Sequence, residues 1–267
     1  MEAISAKAAS TRLAGIVWSD PKVGKTTWLM SLPGRKLLLN YDPDGFLSVA
    51  HRDDVDVIDF SIMPPQDAAR ESAKVAGYII ENKDKYGSIV VDSLTTMTDM
   101  ALYDALYRGV GKSPKFTPTL DTPGLTGYGG RNNVVNDVCA KILRASAICQ
   151  MHCFFTAHMD DPQYDAEGKH IVEQTIMLSG KIKQKVAITV SEIYHLSQGG
   201  STKKVHLAPY GVKKPMGSRI FDTTIIKEFD LKYDISKPDE DQSCSLTSII
   251  NQWKAGDYKK LTTLPKI

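Results

Sequence analysis

Two periods run through the apolar positions of this chain. Residues 13–18, Leu-Ala-Gly-Ile-Val-Trp, form a short apolar run that predicts a strand. After a polar loop, Trp28, Leu29 and Met30 open an apolar helix. Residues 36–41 and 55–60 predict a second and a third strand. Between 66 and 81, Ala69, Ala73, Ala76, Ile79 and Ile80 recur at helical spacing and predict one helix with an apolar side. Lys83 and Lys85 close that segment, and Ile89-Val90-Val91 reads as a strand buried on both faces. Over 131–149, Val134, Val138 and Ile142 lie beside Val135, Cys139 and Leu143, a core-facing helix stripe. Residues 153–158, 192–196 and 203–207 predict strands, and 181–190 a helix. Beyond 225 the chain turns polar, with an acidic loop over 236–243 and a short helix over 245–253. This succession predicts an α/β fold, a mostly parallel central sheet with helices on both faces. It divides into a core over 1–225 and a C-terminal tail over 226–267.

Composition narrows the class. Hydrophobic residues make up 42% of the 267 positions and charged residues 24%, the balance of a globular protein. With 33 basic and 31 acidic residues, the net charge of +2 leaves any nucleic-acid surface to local patches. Cys139, Cys149, Cys153 and Cys244 include no Cys-x-x-Cys pair and read as reduced structural thiols of a cytoplasmic protein. No run of 18 apolar residues predicts a membrane span, and the N-terminus has no apolar signal-peptide core.

The loop after the first strand carries the chemistry. Ser19-Asp20-Pro21-Lys22-Val23-Gly24-Lys25-Thr26-Thr27 lies between a strand and a helix, the context of a Walker A phosphate loop. Gly24 lets the backbone approach phosphate, and amides of the loop point at the anion. Lys25 places a compact charge on the β and γ phosphates, and the Thr26 hydroxyl ligates magnesium. Ser19 replaces the first glycine of the motif, so the loop entry is expected to take a different shape. Asp92, at the end of the 89–91 strand, matches Walker B. At the carboxyl end of a parallel strand it faces the phosphate loop and holds magnesium, directly or through water. ATP and Mg2+ are the cofactors these motifs call for.

The order of these motifs resembles the RecA-like ATPases over about residues 10–225. It looks most like the small phage-encoded, core-only members that act in single-strand annealing and recombination. The resemblance implies a RecA-like P-loop NTPase core and several further roles. Asp44, in Asp42-Pro43-Asp44-Gly45, becomes the candidate general base, with Asp42 as the alternative. The same four residues also read as a turn signal. His158, on one strand face with Thr156, becomes the candidate γ-phosphate sensor, or else a histidine at a sheet edge. The loops over 111–131 and 159–178 correspond to DNA-lining loops, with Lys112, Lys115, Tyr128 and Arg131 as candidate contacts. Lys213, Lys214 and above all Arg219 become candidate cations for a neighbour's ATP site, with a solvated basic turn as the alternative.

The implied protein is an ATPase that binds single-stranded DNA in phage recombination or replication. It would work in the bacterial host cytoplasm as a homo-oligomer with ATP at subunit interfaces, alongside a phage single-strand-binding or replication protein. Two other readings stay open: an ATP-switched regulatory or assembly protein without DNA, and a helicase-like motor.

Overall fold

The computed structural model describes residues 12–109, 112, 117–178 and 181–266. In chain order the elements are β1 (Ala14–Ser19), α1 (Lys25–Leu29), β2 (Lys36–Asn40), a 3-10 turn (Gly45–Val49) and β3 (Val55–Asp59). Then come α2 (Pro65–Ser72), α3 (Val75–Glu81), β4 (Ser88–Asp92), α4 (Leu94–Tyr107), α5 (Gly124–Ile148) and β5 (His152–His158). The chain ends with β6 (Gln163–Tyr164), β7 (Ile171–Glu173), α6 (Lys181–Thr189), β8 (Glu192–Gly199), β9 (Thr202–His206), β10 (Glu228–Asp230) and α7 (Leu246–Ala255). Eight strands form one sheet in the order β10-β9-β8-β1-β5-β4-β2-β3. From β8 to β3 every pairing is parallel, and β9 and β10 add an antiparallel edge. This is the mostly parallel α/β sheet that the pattern predicts, and it is a P-loop NTPase core.

Each central strand is apolar on both sides, so alternate residues enter two cores. Ile16, Leu37, Leu39, Ile89, Val91 and Phe155 pack under α2 to α6. Val17, Leu38, Val90 and Phe154 pack on the other face with Trp28, Leu29 and the C-terminal segment. Gly15 is required where β1 meets β5: a Cβ there would lie 2.3 Å from the Phe154 ring. No helix among the described residues is long and apolar enough to cross a membrane. All four cysteines are free thiols, and burial pushes that of Cys153 up to about 12.

Four local expectations change. The helix over 66–81 breaks at Ala73 and Lys74 into α2 and α3. The break rotates the second half, so Ser72, Val75 and Ile79 are buried while Ala73 and Ile80 face solvent. The loop over 111–131 ends early, because residues 124–131 form the first turns of α5. Packing against α4 overrides the low helix propensity of the glycines there. Helix α4 has no counterpart in the sequence pattern; its buried residues spread around the axis, from Leu94 and Thr95 to Met97, Thr98, Met100 and Ala101. The segment after β5 carries the small β6–β7 hairpin.

Residues after 225 do not stand apart. They supply the edge strand β10 and helix α7, whose Leu246, Ile249, Ile250 and Trp253 join the second core. Trp28 Nε1 donates to the Cys244 carbonyl at 2.9 Å, and the Leu246 amide donates to Ser31 Oγ at 2.9 Å. Arg52 ties Asp54 (2.8 Å) to Asp239 (3.2 Å), and Tyr233 donates to Asp239 at 2.7 Å.

Candidate functional site

Parallel pairing brings the carboxyl ends of β1, β5, β4 and β2 to one edge, with Ser19 level with His158 and Asn40 level with Asp92. The loop from β1 to α1 turns over this edge. Ser19 ends β1 as a strand residue and takes no left-handed conformation. The reversal falls instead at Lys22, with φ 65°, and at Gly24, with φ 104°, where a Cβ is disfavoured. The serine departure from the glycine motif therefore costs the backbone nothing. The Ser19 hydroxyl also has a use, since it accepts from Lys25 Nζ at 3.1 Å. Lys25 donates as well to the Asp20 carbonyl at 3.1 Å. Burial pushes its ammonium below the usual lysine value, while Asp92, Asp42 and Asp20 pull the other way. Val23 is buried and anchors the loop, while Asp20, Pro21 and Lys22 form an exposed rim. Thr26 and Thr27 are half-buried at the start of α1.

Asp92 is held on both oxygens. Thr26 Oγ1 donates to Oδ2 and Thr156 Oγ1 to Oδ1. Burial raises its carboxyl above the usual range; the two threonines and Lys25 oppose that rise, and Asp42 adds to it. The Thr26 hydroxyl and the Asp92 carboxylate are hard oxygen donors in contact, a set that suits magnesium held partly by phosphate oxygens and water. Among the described residues no cluster of three or more His, Cys, Asp or Glu offers an all-protein metal cage.

A second carboxylate completes the edge. Asp42 follows β2 and accepts from Ser93 Oγ at 2.9 Å and from Thr96 Oγ1, while His158 Nε2 lies 3.4 Å from its other oxygen. Burial acts to raise this carboxyl, but the bonds from His158, Thr96 and Ser93 outweigh it and hold it below the usual range. His158 is fixed through its amide, which donates to Thr95 Oγ1 at 3.0 Å, and its Nδ1 is buried with no hydrogen-bond partner among the described residues. Asp44 is turned away: it is exposed, at φ 57°, at the start of the 3-10 turn. Of the two acids, Asp42 joins the cluster and Asp44 does not. The geometry of the Asp42-Pro43-Asp44-Gly45 turn makes that difference.

The remaining candidates lie elsewhere. Tyr128 and Arg131 are on α5, with the Arg131 guanidinium over the Tyr128 ring at 4.7 Å. Arg131 is buried and Tyr128 exposed. Lys112 is exposed, and Lys115 falls outside the described residues. Lys213 Nζ reaches Met159 Sδ at 3.4 Å, next to His158, whereas Lys214 lies 3.8 Å from Glu173. Arg219 is exposed, and its amide donates to Glu192, which is level with Gly15 and so away from its own phosphate loop. Ser93, Thr95 and Thr96 were not legible as site residues. Ser-x-x-Thr after an acidic strand end was their only signal, and it reads equally as a helix cap, which Ser93 also is.

A family model described as an AAA domain matches residues 11–224 of the chain. No curated protein matches it.

Proposed function

We propose that this chain, which belongs to the AAA domain family, is a magnesium-dependent ATPase whose nucleotide state governs binding to single-stranded DNA. The observation that carries the first half is the pair of carboxylates on one sheet edge, one beside Thr26 and one beside His158. Loop amides and Lys25 would hold the β and γ phosphates. Thr26 and Asp92 would hold magnesium, which neutralises charge on the phosphate oxygens. Asp42, already ionised and fixed by three donors, would accept a hydrogen bond from the attacking water and aim it in line. Its depressed pKa makes it a weak proton acceptor, so orientation rather than full deprotonation is its contribution. His158, whose buried Nδ1 has no hydrogen-bond partner among the described residues, would be the group that reads the γ-phosphate.

The DNA half rests on the resemblance to phage RecA-like annealing proteins and on the exposed Lys112. In this reading ATP lies between subunits of a homo-oligomer, and Arg219 reaches the neighbour's γ-phosphate. Hydrolysis resets the assembly during phage recombination or replication, with a phage single-strand-binding or replication protein as partner. One observation favours the rival, an ATP-switched assembly protein without DNA. Arg131 is buried, with its guanidinium over the Tyr128 ring and bonded to Asn132, rather than presented to solvent as a phosphate contact. ATP turnover with and without single-stranded DNA at two salt concentrations separates the readings. Stimulation that fades with salt supports DNA as partner, and DNA-independent turnover favours the rival.

A further inference from the structure

The β8–β9 hairpin brings a cation to the phosphate loop that no motif announces. Lys203 is the second residue of β9, on the same strand face as Val205, which packs in the core beside α1. From there its side chain runs to the loop: Nζ lies 3.1 Å from the point a Cβ on Gly24 would occupy. The residue is half-buried, and its ammonium has neither a hydrogen-bond acceptor nor an acidic partner among the described residues. Its neighbour Lys204, by contrast, pairs with Glu228. An unpaired ammonium beside the glycine of a phosphate loop lacks one component, an anion.

We propose that Lys203 is a second phosphate-binding lysine, acting from the hairpin within the same chain and contacting the phosphates common to ADP and ATP. This rests on the nucleotide reading above. The position decides which phosphates. The γ-phosphate region lies toward Asp92, Asp42 and His158, on the sheet edge. Lys203 comes from β9, which lies on the other side of β1 in the sheet from β5, β4 and β2, and on the strand face of Val205, which shares the core of α1. The contact is therefore made equally in ground and transition states, and it adds affinity rather than rate. It also links the nucleotide to the β9–β10 edge, and through β10 to the C-terminal segment.

The test is titration calorimetry of MgADP and of a slowly hydrolysed MgATP analogue with wild type, Lys203→Gln, Lys203→Arg and, as a reference, Lys25→Ala. The folded state of each variant is checked by thermal melting. Loss of one charge-assisted contact is expected to weaken both nucleotides alike, by about ten- to a hundredfold for Lys203→Gln. The Lys203→Arg variant should recover most of the affinity, and the gap should narrow at high salt. Unchanged affinity in a folded Lys203→Gln overturns the proposal, as does weakening of the ATP analogue alone. Failure of the wild type itself to bind either nucleotide would instead remove the nucleotide reading on which the proposal stands.

Discussion

Asp42 and His158 meet across the carboxyl edge of the sheet, Oδ2 to Nε2 at 3.4 Å, although they are 116 positions apart in sequence, with strands β3 and β4 between them. The pair exists because Asn40 is level with Asp92 and Val91 with Phe155, so Asp42 after β2 and His158 at the end of β5 both lie two residues beyond the Asp92 level, and because Ser93 and Thr96 hold the carboxylate from the start of α4. It gives the edge a fixed, ionised acceptor beside a histidine whose buried Nδ1 has no hydrogen-bond partner among the described residues.

Asp42→Asn should lower kcat at least a hundredfold while leaving MgATP binding within a few-fold, since the lost interaction acts on the attacking water. Asp44→Asn should leave both parameters near wild type, because Asp44 faces solvent. Steady-state phosphate release with both variants checks this. Equal loss in the two would contradict the placement of the water at Asp42. Because its carboxyl is held below the usual range, Asp42 should stay ionised to a lower pH than an ordinary carboxylate, so it cannot be the source of an acid limb near neutrality.

Asp92 carries the opposite shift. Its carboxyl is raised by burial, so protons compete with magnesium at a higher pH than for an ordinary carboxylate. Magnesium dependence of nucleotide affinity should therefore begin to weaken at a higher pH than an ordinary carboxylate in its place would give. Asp92→Asn should abolish the magnesium dependence at every pH. Fluorescence titration of a labelled ATP analogue, with magnesium and with chelator, reads both effects.

Stability should fall in mild acid. His152 is buried and neutral, accepting the Leu13 amide on Nδ1 at 3.1 Å, and burial lowers its pKa to about 3. The unfolded chain binds this proton below its usual value near 6.5, whereas the folded chain refuses it until about 3. The contribution is therefore complete above about pH 6.5 and is lost progressively as pH falls toward 3, by up to about 1.4 kcal/mol per pH unit. Proton NMR of the ring should show no titration above pH 4, and melting temperature should drop through the same window.

Gly15→Ala should destabilise the fold by about 1–3 kcal/mol or more, since the new methyl meets the Phe154 ring. Phe154→Leu alone should also destabilise, but the double variant should be more stable than the two costs added together. Urea unfolding of the four proteins measures the coupling.

Trp253→Ala should cost about 3–5 kcal/mol, as for a large buried side chain. Chemical denaturation should give one cooperative transition at lower urea. A wild-type midpoint would mean that the C-terminal helix does not share the core.

Legibility in the sequence followed the range of the interactions. The strands and the phosphate loop could be read because each depends on neighbouring residues: a β-branched run, or Gly-Lys-Thr between strand and helix. The two faces of the core follow the same period-two pattern, as Leu37, Leu38 and Leu39 illustrate. Tertiary effects stayed hidden. Asp42 and Asp44 are indistinguishable in a turn motif, and only partners some fifty residues away, Ser93 and Thr96, single out Asp42. Lys203 looked like any strand lysine until the hairpin placed it against Gly24. The glycines at the start of α5 argued for a loop, and packing on α4 overruled them.

The most direct measurement is phosphate release from MgATP by the purified wild-type chain and by Lys25→Ala under the same conditions. Turnover by the wild type is expected to require magnesium and to fall to the blank in Lys25→Ala. Turnover that survives Lys25→Ala, or a wild type that binds MgATP and never releases phosphate, would contradict that expectation.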